Sequence, residues 1–459
     1  MLSRTVSIKM NNGRQPRPEC VRWTTLMVMT IVIFVVDGLS VEVARKSGEK
    51  EPKDVVQDQI TYDGDQVWRV YKPEVNSSEA NELLQSYEED GSQNGFRYSI
   101  WSNNASITDI MVKSCMLKHV GNVLRNAGLE YDILINDVQQ AIKDENPSLS
   151  PDVQEELEGR KGHRMEWTSY HRLEDIYGFL DYLAETYPDL CSVMTIGHSI
   201  EGRPLKVLRI SNGKPNAPAI WIDGGIHARE WISPASVTYI IDYLVENNEN
   251  LDVDYYILPV ANPDGYEYTF VTDRLWRKNR RKAGYCSGVD LNRNFGYRWG
   301  GKGTSKDVCR EIYSGAAPFS EPETDAIRNF FEASSANFKA YLSYHSYGQY
   351  ILYPWGYDQR VPPDYADLDT IGRKAATAMK MAGGAGSVYT VGNSASLLYA
   401  ASGGSDDWAK ALLKIKYTYT IELRDTGKHG FILPARYIIP TAKEALAAVE
   451  VITEACKKL

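Results

Sequence analysis

Glu422 lies in the run Thr418-Tyr419-Thr420-Ile421-Glu422-Leu423-Arg424-Asp425. The alternation around it reads as a strand buried on at least one face. A carboxylate there is costly unless something balances its charge. Glu422 is therefore a candidate for function, with a structural ion pair as the plainer explanation. His227-Ala228-Arg229-Glu230 follows a second strand, and His345 follows a third. Two histidines and one glutamate suit a zinc site that keeps a position open, and another glutamate beside it suits a general base.

An H-x-x-E pair alone is a weak signal, and the chain has a second one, His171-Arg172-Leu173-Glu174. That pair falls on an amphipathic helix and reads as solvated surface. The His227 pair follows the strand-like Ala219-Ile220-Trp221-Ile222 and then Gly224-Gly225. Glycines allow a turn that aims both side chains at one point beyond a sheet. No H-E-x-x-H helix is present, so a zinc site here has another architecture. Of the other histidines, His119 belongs to an N-terminal unit, His163 lies near a basic cluster, and His198 and His429 sit beside glycines. His345 taken alone reads as a satisfied core or rim residue in preference to a ligand.

The elements that must position these residues alternate. Strand-like runs at 193–196, 206–210, 219–223, 255–260, 340–344 and 416–423 are interleaved with helical stretches at 236–246, 321–333, 371–382 and 442–455. Leu173, Ile176, Leu180, Leu183 and Tyr187 recur at helical spacing before Pro188. This pattern predicts an α/β domain with a mixed sheet, starting near Met165, whose ligands bind in loops beyond the strand ends. Upstream, strands at 66–71, 96–101, 107–112 and 131–135 and helices at 79–87 and 116–127 follow a β-α-β-β-α-β order, which predicts a ferredoxin-like open sandwich. Residues 138–162 are charged and helix-prone and end on Arg160, Lys161 and Arg164, where a trypsin-like protease could cut; an interdomain linker is the plainer reading.

A chain of 459 residues has room for two or three domains. Its net charge of -9 argues against an electrostatic hold on nucleic acid. Six cysteines are too few for a disulfide scaffold at this length. The apolar run at 26–36 is shorter than the ~20 residues of a spanning helix, follows Arg14, Arg17 and Arg22, and precedes the small-x-small pattern Gly38-Leu39-Ser40. Residues 1–40 read as a signal peptide, with a retained anchor as the alternative. The sequons at Asn76 and Asn104 agree with a secretory route.

In order along the chain stand His227-x-x-Glu230, Leu275-Trp276-Arg277-Lys278, Asp290-Leu291-Asn292-Arg293-Asn294, His345-Ser346-Tyr347, Ala401-Ser402-Gly403-Gly404-Ser405 and Glu422-Leu423-Arg424-Asp425. In these motifs and their spacing the chain resembles the secreted zinc procarboxypeptidases of the A/B type. The resemblance is specific from Met165 to the C-terminus and rests mainly on topology over residues 62–160. It implies an α/β/α catalytic domain with a mixed central sheet (165–459), preceded by a ferredoxin-like α+β pro-domain with its connecting segment (41–161). It also implies one Zn²⁺ held by His227, Glu230 and His345, with water in the fourth position; this ligand set is the family's own. Glu422 would move the proton and Arg277 would stabilise the oxyanion. Asn292 and Arg293 match the clamp for a substrate's terminal carboxylate, and Tyr399 the mobile tyrosine over it. Arg229 matches an auxiliary carboxylate site; Tyr347 and Phe431 match neighbouring subsites. Taken alone, Asn292-Arg293 reads as a surface turn and Tyr399 as a rim aromatic.

Asp406 matches the base of the family's side-chain pocket, where an acid accompanies preference for C-terminal Lys or Arg, and Ser394 and Gly356 match small pocket positions. Asp406 could instead cap the short helix that follows it. Cys286 and Cys309 match the A-type disulfide; Cys191 and Cys456 are candidates for another bridge, Cys115 lies in the first unit, and Cys20 precedes the predicted signal cleavage. Cleavage after Arg160, Lys161 or Arg164 would release a mature enzyme, expected as an extracellular monomer acting on peptide and protein C-termini, with the digestive lumen as one destination. The competing readings are A-type preference for aromatic or aliphatic C-terminal residues, a catalytically silent binder of peptide C-termini, and an intracellular relative trimming tubulin tails, which the signal-like segment opposes.

Overall fold

The computed structural model describes residues 59–73, 77–86, 98–160, 162–249 and 251–459. The expected targeting segment at 1–40, Cys20, the sequon at Asn76 and Lys161 lie outside the described residues. No helix among the described residues is long and apolar enough to cross a membrane.

The N-terminal part runs β1 (Gln66–Tyr71), α1 (Ser77–Ser86), β2 (Tyr98–Asn103), β3 (Ile107–Val112), α2 (Leu117–Asn126) and β4 (Tyr131–Ile135). The strands form a four-stranded sheet in the order β2-β3-β1-β4. Alternation along β1 and β3 sends Trp68, Val70, Ile110 and Val112 to one face, where Leu84, Val120 and Leu124 of the helices cover them. Val67 and Met111 emerge on the other face with Trp101 and Ile135, and there they pack on Leu275, Phe431 and Ile432 of the C-terminal part. Both faces of this small sheet are apolar, so it needs a partner surface. Two helices follow. In α3 (Val138–Glu145) the Asp137 side chain accepts from Gln140 N–H; in α4 (Pro151–Gly159) Ser150 caps and proline takes the first turn. The α4 helix is exposed except at Leu157.

The C-terminal part contains α5 (Leu173–Thr186), β5 (Cys191–His198), β6 (Pro204–Ile210), β7 (Pro218–Asp223), α6 (Ile232–Glu246), β8 (Asp254–Leu258) and α7 (Pro263–Val271). A two-residue hairpin, β9 (Lys282–Ala283) and β10 (Cys286–Ser287), is tied by the Cys286–Cys309 disulfide. Then come α8 (Pro322–Ala333), β11 (Asn337–Ser346), β12 (Tyr350–Tyr353), α9 (Tyr365–Gly383), β13 (Thr390–Asn393), α10 (Ser394–Leu397), α11 (Ser405–Ala411), β14 (Tyr417–Leu423) and α12 (Ile438–Cys456). The eight-stranded sheet has the order β13-β12-β14-β11-β7-β8-β6-β5. Its central neighbours β14, β11, β7 and β8 are parallel, and β5–β6, β6–β8 and β12–β14 are antiparallel. Ile220, Ile222, Leu342 and Ile421 face α5, α6, α9 and α12; Ala219, Trp221 and Tyr341 face α8 and α11. The result is the α/β/α sandwich with a mixed sheet.

Two expectations need correction. His171 is not solvated: its imidazole is largely buried between Glu166 and Asp175, just ahead of α5 and not within it. Cys191 and Cys456 are both buried but form no bridge.

Candidate active site

Gly225 takes φ of 62°, which only glycine adopts freely, and its N–H donates to Ser233 Oγ at 3.0 Å. Ser233 in turn donates to the Tyr344 carbonyl at 2.6 Å. This stitching ties the turn after β7 to strand β11 and brings His227 and Glu230 beside His345. His227 Nδ1 lies 2.8 Å from Glu230 Oε1, and His345 Nδ1 lies 3.1 Å from Glu230 Oε2 and 3.2 Å from His227 Nδ1. All three side chains are buried.

Two imidazole nitrogens and a carboxylate meeting at these separations fit a tetrahedral metal. Bonds of ~2.0–2.1 Å place ligand atoms roughly 3.3 Å apart. The charges fit as well. Burial opposes a charge on Glu230, yet the two histidines hold its carboxyl well below the usual range. Burial likewise opposes a charged His345, yet Glu230 outweighs it and raises that imidazole to about 9. Burial and Arg277 lower the His227 imidazole, so the cluster keeps an ionised carboxylate beside a neutral imidazole, both forms a metal takes as ligands.

Around it stand further charged groups. Arg277 donates through Nε and Nη2 to Asp290 Oδ2 at 3.2 and 2.9 Å and lies 3.8 Å from Glu230. Asp290 Oδ1 faces His227 Nε2 at 3.2 Å and accepts from Asn292 N–H at 3.0 Å. Burial opposes the Asp290 charge, but Arg277 and Arg293 hold its carboxyl well below the usual range. One buried aspartate thus orients a cluster histidine and an arginine together. It sits in a quoted motif, but no role for it follows from the sequence: only its two-sided contacts reveal one.

A single cavity gathers His227, Glu230, Arg277, Asn292, Arg293, His345, Tyr347, Tyr399, Asp406, Glu422 and Phe431, with Gly356 and Ser394 in its wall. Asn292 accepts from Ser405 N–H at 3.0 Å, and Arg293 donates to the Gly303 carbonyl at 3.0 Å. Asp406 lies in the first turn of α11 but does not act as its cap: the capping position is Gly404, which has no side chain. Burial pushes the Asp406 carboxyl up, outweighing its hydrogen bonds to the Asp407 backbone and the Thr420 side chain and the pull of His345. Its neighbour Asp407 is tied off by Gly356 and Tyr357 N–H groups at 2.8 and 2.9 Å. Tyr399 stands at the rim, 41% exposed. Arg229 is not in the cavity wall. Its guanidinium stacks over Phe431 at 4.2 Å, donates to the Leu275 carbonyl at 3.3 Å and lies 3.4 Å from Glu311.

The N-terminal part builds one side of the cavity. Trp101, Ser102 and Asn103 contribute to its wall. Trp101 packs on Phe431 at 5.1 Å between centroids, and Asp109 accepts from Tyr347 Oη at 2.9 Å. Arg69 pairs with Asp109 and donates to the Thr426 carbonyl at 2.7 Å. None of these contacts is visible in the sequence, because they join surfaces hundreds of residues apart. At the other end of the linker, Arg160 and Arg164 are both exposed, whereas the Met165 side chain is buried.

A buried two-histidine, one-glutamate cluster at the carboxyl ends of a parallel strand set, with a further glutamate beside it, defines a zinc hydrolase. Residues 176–448 match the zinc carboxypeptidase family and residues 71–145 the carboxypeptidase activation peptide. The chain is 47% identical to carboxypeptidase B of Astacus astacus over 301 residues, which is 64% of this chain and 99% of that one. It is 38% identical to carboxypeptidase A4 of Mus musculus over 405 residues, 85% of this chain and 93% of that one. The crystal structure of thrombin activatable fibrinolysis inhibitor superposes with a TM-score of 0.75 at 34% identity, covering 86% of this chain and 99% of that one. The chain belongs to the zinc carboxypeptidase family. It is a metallocarboxypeptidase zymogen that uses zinc and carries its activation peptide ahead of the catalytic domain.

Proposed function

We propose that the enzyme, once activated, removes C-terminal Lys and Arg, with His227, Glu230 and His345 as its zinc ligands. Bound there, zinc supplies a Lewis acid that acidifies water and polarises a carbonyl. Glu422 accepts the water's proton and returns it to the leaving amine. Arg277, held by Asp290, faces the same space and stabilises the oxyanion with a charge that no relevant pH removes. Asn292 and Arg293 hold the substrate's terminal carboxylate, Arg229 offers an auxiliary carboxylate contact, and Tyr347 and Phe431 line subsites upstream. Tyr399 at the rim closes over the bound end.

The observation that carries the basic preference is Asp406, a buried carboxyl in the wall of the same cavity, whose charge burial opposes more than its hydrogen bonds and His345 support it. A guanidinium or ammonium would pair with it, whereas an apolar side chain would leave it unpaired in a desolvated pocket. The identity to a carboxypeptidase B supports this reading, while the likeness to a carboxypeptidase A4 supports the rival preference for apolar ends.

Residues 1–40 are a signal peptide, 41–161 the inhibitory pro-domain with its connecting segment, and 165–459 the catalytic domain. The chain is secreted and acts as a monomer. Trp101 and Asp109 occupy Phe431 and Tyr347, so the pro-domain excludes substrates from the upstream subsites. A trypsin-like protease cutting at Arg160, Lys161 or Arg164 releases the enzyme. The test is to treat the zymogen with trypsin and offer peptides differing only in a C-terminal Arg, Lys, Phe or Leu, with and without a chelator. Faster release of Arg and Lys, abolished by chelation, is expected. Faster release of Phe would overturn the basic preference, and chelator-resistant activity would overturn the metal assignment.

A further inference from the structure

Asp223 ends β7, and its register partner on β11 is Ser343. His345 lies two residues further along β11, so period-2 alternation puts Ser343 and His345 on the same face. The Ser343 hydroxyl spans the two: Oγ donates to Asp223 Oδ1 at 2.6 Å and lies 3.1 Å from His345 Nε2. Asp223 Oδ2 accepts from Trp221 Nε1 at 2.7 Å. Asp223, Ser343 and His345 are all buried.

A serine hydroxyl has one proton, and here the carboxylate takes it. The oxygen can then only accept from His345, which requires the imidazole proton to sit on Nε2. In the neutral imidazole, the form that binds a metal, the lone pair is thereby left on Nδ1, the atom facing Glu230 and His227. His227 is oriented by a carboxylate directly, through Asp290 at 3.2 Å. His345 would reach a carboxylate only through the serine.

We infer that Ser343 is a positioning residue for the zinc site, relaying the Asp223 carboxylate to His345 so that Nδ1 is fixed as the ligand atom. The inference rests on the reading of His345 as a zinc ligand. Partners that orient a metal-binding histidine are worth about 10–100-fold in metal affinity.

The test titrates the zinc-loaded full-length zymogen with a chelator of known affinity, which needs no catalytic readout. Ser343→Ala should weaken zinc binding about 10–100-fold; because it also removes a buried hydrogen bond from Asp223, zinc affinity of the folded variant, and not the melting temperature, is the readout. Ser343→Thr, which keeps the hydroxyl, should restore most of the affinity. Should Ser343→Ala fail to fold, Asp223→Asn decides, because its amide is a weaker acceptor and should loosen zinc while the hydroxyl stays. Wild-type affinity in the Ala variant, or in the Asn variant where that one decides, overturns the relay. His345→Ala is the control for the ligand reading: if it keeps wild-type affinity, the ligand assignment itself fails.

Discussion

His345 and Glu422 are register partners on the adjacent parallel strands β11 and β14, although 76 residues separate them in the chain. Neighbouring strands lie ~4.8 Å apart and partners point to the same face. A metal-ligand candidate and a base candidate are thus side by side on rigid backbone, not in loops. Glu422→Gln keeps the shape and removes the basicity. Its kcat should fall by about 10²–10⁴ while zinc content stays at one per chain, checked by metal analysis of the same sample. Loss of zinc along with activity would make Glu422 a structural residue.

The pH profile follows from the same carboxylate. Burial pushes Glu422 up to about 7, with His345 pulling it down and Glu230 pushing it up. A bound cation adds a further downward pull. Only the ionised form accepts a proton, so kcat/KM should fall as pH drops, with the acid limb between the ordinary 4.5 and about 7. In Glu422→Gln that limb should vanish from the residual rate.

Asp406→Asn replaces the pocket charge with a neutral side chain of the same shape. Truncating one partner of a buried charge pair costs about 2–5 kcal/mol. The kcat/KM for a C-terminal Arg should therefore fall roughly 10²–10³-fold, with much less change for a C-terminal Phe. Equal losses for both would remove Asp406 from the specificity argument.

Glu145 and Arg274 join the two halves of the zymogen through a buried two-point ion pair at 2.6 and 2.5 Å. Arg274 also donates to the carbonyls of Arg229 and Phe431 at 2.9 Å. Removing one partner of such a pair typically costs about 3–5 kcal/mol. Glu145→Ala should lower the zymogen's melting temperature and speed its activation by trypsin. The isolated mature enzyme, which lacks residue 145, serves as the unaffected reference.

His171 and Glu166 predict a stability window. Burial opposes the imidazolium of His171, but hydrogen bonds to Asp175 and Glu166 raise it to about 9. Burial opposes the charge of Glu166 too, but hydrogen bonds from His171, Ser169 and Thr168 lower its carboxyl to about 2. The histidine's contribution is complete below its ordinary 6.5 and fades as pH rises through about 9. That of the glutamate is complete above its ordinary 4.5 and fades as pH falls through about 2. Both act together between pH 4.5 and 6.5. His171→Gln should flatten the alkaline side of the melting-temperature profile and leave the acid side from other carboxylates in place.

Local patterns carried the elements. Period-2 and helical runs marked the long strands and helices, and the β-α-β-β-α-β order marked the N-terminal sandwich. The short strands β12 and β13 and the helices α7 and α10 were not marked, because four to nine residues of mixed polarity carry little periodic signal. His171 was misread for a related reason. Its neighbours follow a helical pattern, but its burial comes from Glu166 and Asp175, which spacing alone does not reveal.

By itself the sequence determined which residue types were available and in what order: His227 and Glu230 after one strand, Arg277 and Asn292-Arg293 further along, His345 after another strand, then Asp406 and Glu422. Those follow from side-chain chemistry and local periodicity. Only the tertiary structure decided which of them meet. Asp290 reaches both His227 and Arg277, Ser343 falls beside Asp223, and Trp101 lands on Phe431. Strand register and the docking of one half on the other set these pairings, and both are fixed by packing between segments far apart in the chain.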